Sequence, residues 1–374
     1  TFTEADCPYL PTGNRRTEER SRPVSARGAR VVGAGLIGTS IALRLKEIGW
    51  RVDLSDSNPT AQKLAQDLVG ENQAPSAIDF VIVATPPEQV IPTLLAEKKK
   101  YSQAIFIDVT STKTNTQREI DTFSELRTKF VGTHPIAGRE QSGAGAARSD
   151  LFIGRAWILT PSPSVSESDV QSVESLITAL GSTPYRMDPK EHDRLFARIS
   201  HLPQILSTAL AGSVAKLGNQ VDLSGQGLRD MLRLAGSNGE LWSEILTSNR
   251  DEVLKALDEM KALLNNFSKV LEGNDERAIL ELFRTGNLVQ SSLSGKHGGK
   301  PRDYTHLSVV IEDKPGQLGA LFKECAEVDA NVEDLSLEHS PNQETGLIRL
   351  ALSKEDVSKL ETHLLKSGWK VHRQ

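Results

Sequence analysis

Gly33, Gly35 and Gly38 stand in the run Val31-Val32-Gly33-Ala34-Gly35-Leu36-Ile37-Gly38, a G-x-G-x-x-G pattern entered from apolar residues. Ser40-Ile41-Ala42-Leu43-Arg44-Leu45 continues it with helical spacing. A strand that turns sharply into a helix offers free backbone N–H groups and a positive dipole end to a pyrophosphate. Gly33 permits the tight turn, Gly35 lets phosphates approach the backbone, and Gly38 lets helix and strand pack closely. Leu36 and Ile37 open the helix and belong to the same cofactor-binding set. Trp50–Asp56 reads as a second strand ending in an acid, and Asp56 lies 23 positions after Gly33. A carboxylate there accepts hydrogen bonds from the adenosine ribose and disfavours a 2′-phosphate, so NAD is expected over NADP. A solvated turn aspartate before Asn58-Pro59 is the plainer alternative for Asp56.

A second set of reactive types follows later strands. Asp108-Val109-Thr110-Ser111-Thr112-Lys113 leaves the strand-like run Ala104–Val109, so its hydroxyls are expected in the cleft. Gly132-Thr133-His134-Pro135-Ile136-Ala137-Gly138-Arg139-Glu140 comes next. An imidazole at a strand end beside a nicotinamide is placed to polarise or deprotonate a substrate hydroxyl. A lone histidine is more often structural, but Pro135 and the flanking glycines mark a shaped loop.

These residues need a scaffold. From Ala29 to about Pro161 short apolar runs alternate with amphipathic stretches, including Ile78–Ala84, which implies a parallel sheet with helices on both faces. Thr85-Pro86-Pro87 breaks the chain where a cofactor would lie, because ligands of such sheets sit outside the carboxyl ends of the strands. The stretch from Leu68 to Ile78 is short and polar, so a helix or strand of the sheet is expected to be missing there.

After Pro161-Ser162-Pro163-Ser164, the region from about Glu167 to Leu293 is nearly all helical in period, with one strand-like run at Thr183–Met187. Ile245, Leu246, Val253, Leu254, Leu257, Met260, Leu263 and Leu264 have the spacing of long packed helices, suited to an oligomer interface. Ser291–Pro301 reads as a flexible linker. Beyond it, Leu307–Ile311, Gly316–Ala326, Val332–Glu338, Thr345–Leu352, Lys354–Leu365 and Trp369–His372 follow the order βαββαβ, a ferredoxin-like arrangement. The expected organisation is a tail at 1–27 and a dinucleotide-binding Rossmann-type α/β domain at 28–163. A helical domain suited to dimerisation at 164–293, a linker at 294–303 and a ferredoxin-like domain at 304–374 follow.

The 374 residues carry a net charge of −5, which gives no reason to invoke nucleic acid. No apolar run is long enough to span a membrane. The only cysteines are Cys7 and Cys325, so neither a disulfide framework nor a cysteine-based metal site is expected. The arginine-rich N-terminal stretch does not read as a secretory signal, and the cytoplasm is the expected compartment.

Taken with Ile199-Ser200-His201-Leu202-Pro203 and with Gly227-Leu228-Arg229-Asp230-Met231-Leu232-Arg233-Leu234-Ala235 before Trp242, these motifs resemble the prephenate dehydrogenases of tyrosine biosynthesis over about residues 29–290. Asp313-Lys314-Pro315-Gly316-Gln317-Leu318 resembles the turn of an ACT regulatory unit. The resemblance implies that His134 takes the proton of the substrate's 4-hydroxyl as hydride leaves C4, and that Ser111 holds both that hydroxyl and the imidazole. It implies that Arg233 binds a substrate carboxylate, that Glu140 and His201 line the mouth of the pocket, and that Arg229, Asp230 and Trp242 form its helical wall. Asp313, Pro315, Gly316, Gln317 and Leu318 would bind an amino-acid effector, tyrosine, between paired units, and the enzyme would be a homodimer. Without the resemblance Arg233 reads first as a solvated helix residue; a core histidine at a kink, packing and a loop carboxylate are the plain alternatives for His201, Trp242 and Glu140. Arogenate is the close alternative substrate. A non-catalytic dinucleotide-binding amino-acid sensor and a reductase of β-hydroxy acids are the readings from other classes.

Overall fold

The structure, a computed structural model, describes residues 27–70, 75–137, 143–292, 304–312, 314–339 and 345–373. The expected tail, apart from Arg27, and the expected linker lie outside these residues, as do Glu140 and Asp313. The chain divides into two compact units, 1–266 and 267–374.

In the first unit, β1 (Gly28–Val32), α1 (Leu36–Glu47), β2 (Arg51–Ser55), α2 (Pro59–Val69), β3 (Phe80–Val83), α3 (Pro87–Lys100), β4 (Ile105–Asp108), α4 (Thr114–Ile120) and β5 (Phe130–Pro135) alternate as expected. They are followed by β6 (Ala156–Pro161), α5 (Glu167–Ala179) and β7 (Thr183–Arg186). The sheet order is β2-β1-β3-β4-β5-β6-β7, and every pairing is parallel except β5 with β6. All four residues of β3 are buried, because helices cover both faces of a parallel sheet. Alternate side chains go to opposite faces: Phe80 and Ile82 join Ile41, Leu45 and Ala65, whereas Val81 and Val83 join Val90, Leu94 and Ile120.

Two features qualify the sequence reading. Among the described residues no strand lies beyond β2, in keeping with the short polar stretch before β3. The run at 183–187 does form a strand, but it pairs with β6, so the first sheet continues past Pro163 to Arg186.

Then come α6 (Pro189–Phe196), a π-type turn at Ala197–His201, α7 (Leu202–Val214), a 3-10 stretch at Ala215–Leu223, α8 (Gln226–Leu232), a 3-10 turn at Arg233–Gly236, α9 (Gly239–Ser248) and α10 (Arg250–Glu272). Asp188 caps α6 by accepting from the N–H groups of Lys190 and Glu191, with Pro189 at the first position. The wide turn precedes Pro203, which has no N–H to continue the helical ladder. Ala197 and Leu202 pack against Val253 and Ala256, so α10 buries the early part of its apolar stripe. Leu254, Leu263 and Leu264 of the same stripe are exposed.

The second unit holds α11 (Glu276–Ser292), β8 (Thr305–Glu312), α12 (Gln317–Glu327), β9 (Asp334–His339), β10 (Thr345–Leu352), α13 (Lys354–Lys366) and β11 (Lys370–Arg373). Its antiparallel sheet has the order β11-β8-β10-β9, the ferredoxin-like fold read from the sequence. Leu307, Val309, Leu321, Ile348, Leu350, Leu360 and Leu364 fill the space between sheet and helices. Among the described residues no helix is long and apolar enough to cross a membrane.

Candidate active site

The glycines of the first turn have separate physical reasons. Gly33 has φ +110°, and a Cβ there would stand 2.3 Å from the Ala84 carbonyl oxygen at the end of β3. A Cβ on Gly38 would stand 1.9 Å from the Gly33 carbonyl oxygen, so this position is held by close packing of α1 on β1. Gly35 is different: a Cβ there meets nothing within 4 Å. It opens α1 with no side-chain cap, leaving the first N–H groups, those of Leu36 and Ile37 included, without an intrahelical acceptor. Nothing within the described chain demands glycine at position 35, whereas a closely bound phosphate does.

Asp56 accepts from the Ala34 N–H at 2.6 Å and from the Asn58 N–H at 2.7 Å. It therefore both fixes the glycine turn and shapes the turn into α2, and a carboxylate with about four lone-pair directions keeps capacity for a ribose hydroxyl. Across the crest, Pro86 precedes α3, and the Thr85 hydroxyl is shut off from solvent with no hydrogen-bond partner among the described residues. These residues fit a dinucleotide, and Gly33, Gly35, Leu36, Ile37, Gly38, Asp56, Thr85 and Pro86 would hold it.

His134 lies in β5, on the far side of β4 from that crest. Its Nδ1 is 2.9 Å from His192 Nε2, and His192 Nδ1 is 2.9 Å from Asp193 Oδ1. Asp193 in turn accepts from the backbone N–H groups of Lys113 at 2.9 Å and Thr114 at 2.8 Å, so it satisfies the otherwise open start of α4. Phe196 stacks on His192 at 4.4 Å between ring centroids and packs on His134 at 4.9 Å. Burial is the main reason the His134 imidazole sits well below its usual pKa, with the nearby His192, Lys113 and His201 adding to it. Burial would raise the Asp193 carboxyl, but the hydrogen bonds from His192, Thr114 and Lys113 outweigh it and hold the carboxyl low.

Lys113 is buried. Its ammonium donates to the Asp108 carboxylate, to Thr110 Oγ1 at 3.0 Å and to the Thr133 carbonyl at 2.6 Å. Asp108 also accepts from the Thr133 N–H at 2.9 Å. This pair ties the end of β4 to the residue before His134. Ser111 sits on the same loop, half-buried, with no hydrogen-bond partner among the described residues.

His201, at the end of the π-type turn, is 1 % exposed. Asn249 Nδ2 reaches both its Nδ1, at 3.1 Å, and the Asp193 carbonyl, at 2.8 Å, and Trp242 meets its ring edge-on with centroids 6.0 Å apart. Burial lowers the His201 pKa to about 4. It is thus both a core histidine and part of the network behind His134. Arg229 and Asp230 are exposed on α8, and Asp230 accepts from Gln226. Arg233, exposed, begins the 3-10 turn that docks on α7 through Gln204 Nε2 donating to the Leu234 carbonyl at 2.8 Å. The sequence reading did not single out His192, Asp193 or Asn249. Its available signal was a His-Asp pair early in a capped helix, just before the Ile199–Pro203 motif.

Burial also lowers the His192 imidazole, although Asp193 opposes the effect. His134, His192 and His201 all have folded pKa values below their unfolded value, about 6.5. The unfolded chain therefore binds more protons as pH falls through about 6.5, and stability is lost on acidification until the folded values are reached, about 4 for His201. Each group contributes a slope of at most about 1.4 kcal/mol per pH unit. Urea denaturation at pH 7.5 and pH 5.5 is expected to show the loss, and replacing His201 with glutamine is expected to reduce it.

Comparison with known proteins agrees with this arrangement. The family model for the prephenate dehydrogenase nucleotide-binding domain matches residues 41–185, and that for the prephenate dehydrogenase dimerization domain matches residues 188–285. A prephenate dehydrogenase of Bacillus subtilis is 29 % identical over 87 % of this chain and 92 % of its own length. The crystal structure of prephenate dehydrogenase from A. aeolicus in complex with hydroxyphenyl propionate and NAD+ is 26 % identical, with a TM-score of 0.66 over 72 % of this chain and 98 % of that one. The arogenate dehydrogenase of Synechocystis is 28 % identical, with a TM-score of 0.62 over 70 % of this chain and 98 % of that one. With a dinucleotide crest, a buried histidine network beside it and both family domains in order, the chain belongs to the prephenate dehydrogenase family and is an NAD-dependent oxidoreductase.

Proposed function

We propose that this chain oxidatively decarboxylates prephenate to 4-hydroxyphenylpyruvate, with His134 as the base that takes the 4-hydroxyl proton. The observation that carries the reading is the engagement of His134 Nδ1 by His192, which commits one side of the ring to the protein. NAD, when bound, supplies the acceptor for the electron pair released from C4. Positive charge building at C4 makes the adjacent hydroxyl more acidic, so a base there stabilises the transition state more than the ground state. Loss of CO₂ leaves an aromatic ring, and the protein has mainly to orient the substrate and accept one proton. Ser111 shares the substrate hydroxyl, and His201, Arg229, Asp230 and Trp242 line the pocket.

Arg233 binds a substrate carboxylate, a role for which the parallel N–H groups of guanidinium are suited and an ammonium is not. Arg233→Lys is expected to raise the KM for prephenate about tenfold and to change kcat by less than about threefold, the pattern of lost ground-state binding. Equal losses in kcat would place the residue elsewhere in the reaction.

The similarity to an arogenate dehydrogenase supports a second reading in which the substrate carries an amino group in place of the side-chain keto oxygen. The ferredoxin-like unit is read as an ACT domain that binds tyrosine, since Gly316, at φ +90°, opens α12 with no side-chain cap beside Pro315, Gln317 and Leu318. The match to a dimerization domain and the exposed Leu254, Leu263 and Leu264 support a homodimer. NADH formation at 340 nm with prephenate and arogenate, each with NAD and NADP and with or without tyrosine, tests these readings together. Turnover of arogenate alone would keep the mechanism and change the substrate. No turnover of either by folded protein that binds NAD would sink the proposal.

A further inference from the structure

Hydrogen-bond direction can be followed through the buried network, because its ends are fixed by groups with only one role. The backbone N–H groups of Lys113 and Thr114 can only donate, and both donate to Asp193. The carboxylate can only accept, so His192 Nδ1, 2.9 Å away, carries the proton. A neutral His192 then has its lone pair on Nε2, and the contact from His134 Nδ1 at 2.9 Å must be a donated hydrogen bond. That leaves the lone pair of His134 on Nε2.

The main-chain side of Asp193 sets the second histidine. Its carbonyl can only accept, so the Asn249 atom 2.8 Å from it is the amide nitrogen. The same nitrogen lies 3.1 Å from His201 Nδ1 and donates there too. His201 therefore holds its proton on Nε2, the opposite tautomer from His134.

We propose that His192, Asp193 and Asn249 are positioning residues that lock His134 with a free Nε2 lone pair and His201 with an Nε2–H, so that one imidazole can accept a proton while the other can donate a hydrogen bond. The proposal rests on His134 being the base only for its kinetic consequence; the tautomers themselves do not depend on the substrate. Free neutral imidazole favours the Nε2–H form, so without His192 the base would spend most of its time in the wrong tautomer. The groups facing the network are Asp108 from the end of β4, Lys113 from the β4–α4 loop, Asp193 from α6, His201 from the π-type turn and Trp242 from α9. Burial keeps all three imidazoles neutral at pH 7, which the directional argument requires.

The test is a long-range 1H–15N correlation spectrum of the full chain labelled at histidine, recorded at pH 7.5 and assigned through single substitutions. The expected result is the Nδ1–H tautomer for His134 and the Nε2–H tautomer for His201 in the native protein, with His134 moving to Nε2–H in His192→Leu. Finding His134 as Nε2–H in the native protein, or unchanged in His192→Leu, overturns the proposal.

Kinetics give a second readout. His192→Leu is expected to lower kcat about tenfold or more with KM within about threefold, because the base is mis-set while binding is retained. His192→Gln places an amide oxygen near the Nε2 position and is expected to recover most of that loss. Equal kcat in the two folded variants would mean that the histidine only packs. Native protein that shows the expected tautomers but turns over neither prephenate nor arogenate would overturn the substrate reading and leave this inference standing.

Discussion

His134→Asn is expected to lower kcat for prephenate by about 10²–10⁴-fold with little change in KM, the range lost when a positioned general base is removed, if His134 is the base proposed above. Asparagine keeps a nitrogen near the Nδ1 position and so retains a donor for His192, which separates loss of the base from collapse of the network. Stopped-flow or steady-state NADH formation gives kcat, and fluorescence titration with NAD checks that the crest is intact. A loss of less than about tenfold would mean that the hydroxyl proton leaves to solvent or to another group. The pH profile adds a signed expectation. Burial holds His134 well below the usual imidazole range, and a base works only when unprotonated. The acidic limb of kcat/KM, which reports the free enzyme, is therefore expected below pH 6.5, with activity flat through neutrality. A limb above 6.5 would show that the site raises the imidazole pKa, contrary to its burial.

The parts of this site that were legible in the sequence are those whose chemistry is local. Gly38 answers to the Gly33 carbonyl within one strand–turn–helix unit, and Gly33 needs its positive φ in that same turn even though its close contact is with Ala84 after β3, so their spacing carried the reading. Asp56 was weighed between a cofactor ligand and a turn residue, and its two hydrogen bonds show that the turn role is real and compatible with the other. His134 was singled out from Pro135 and the neighbouring glycines as part of a shaped loop, whereas it lies within β5, one residue before the strand ends. His192 and Asp193 were not, because their importance comes from α6 packing across α4, about 80 positions from the N–H groups that Asp193 caps. Residues 183–186 were readable as a strand, but not as part of the first sheet, since that depends on pairing with β6. The apolar stripe of α10 was read correctly as a stripe, yet periodicity does not tell a packed face from an exposed one.

Lys113→Met is expected to cost about 3–5 kcal/mol of stability, the price of leaving a buried carboxylate without its partner. Lys113 and Asp108 are 1 % and 0 % exposed, so water does not replace the lost ammonium. The ammonium also satisfies Thr110 Oγ1 and the Thr133 carbonyl, and methionine fills the volume without offering a donor. The residual bonds from Thr110 and from the Thr133 N–H keep Asp108 partly solvated by the protein, which places the effect within this range and not above it. Urea denaturation followed by far-UV circular dichroism measures the loss. The double variant Asp108→Asn/Lys113→Met is expected to be more stable than Lys113→Met alone, because the uncompensated charge is then gone. If the two changes instead add independently, the pair is not coupled and the lysine acts only through its neighbours. Coupling has a catalytic consequence as well. Thr133 lies beside His134 and is held on both its N–H and its carbonyl by this pair, so Lys113→Met at a temperature where it stays folded is expected to lower kcat more than KM.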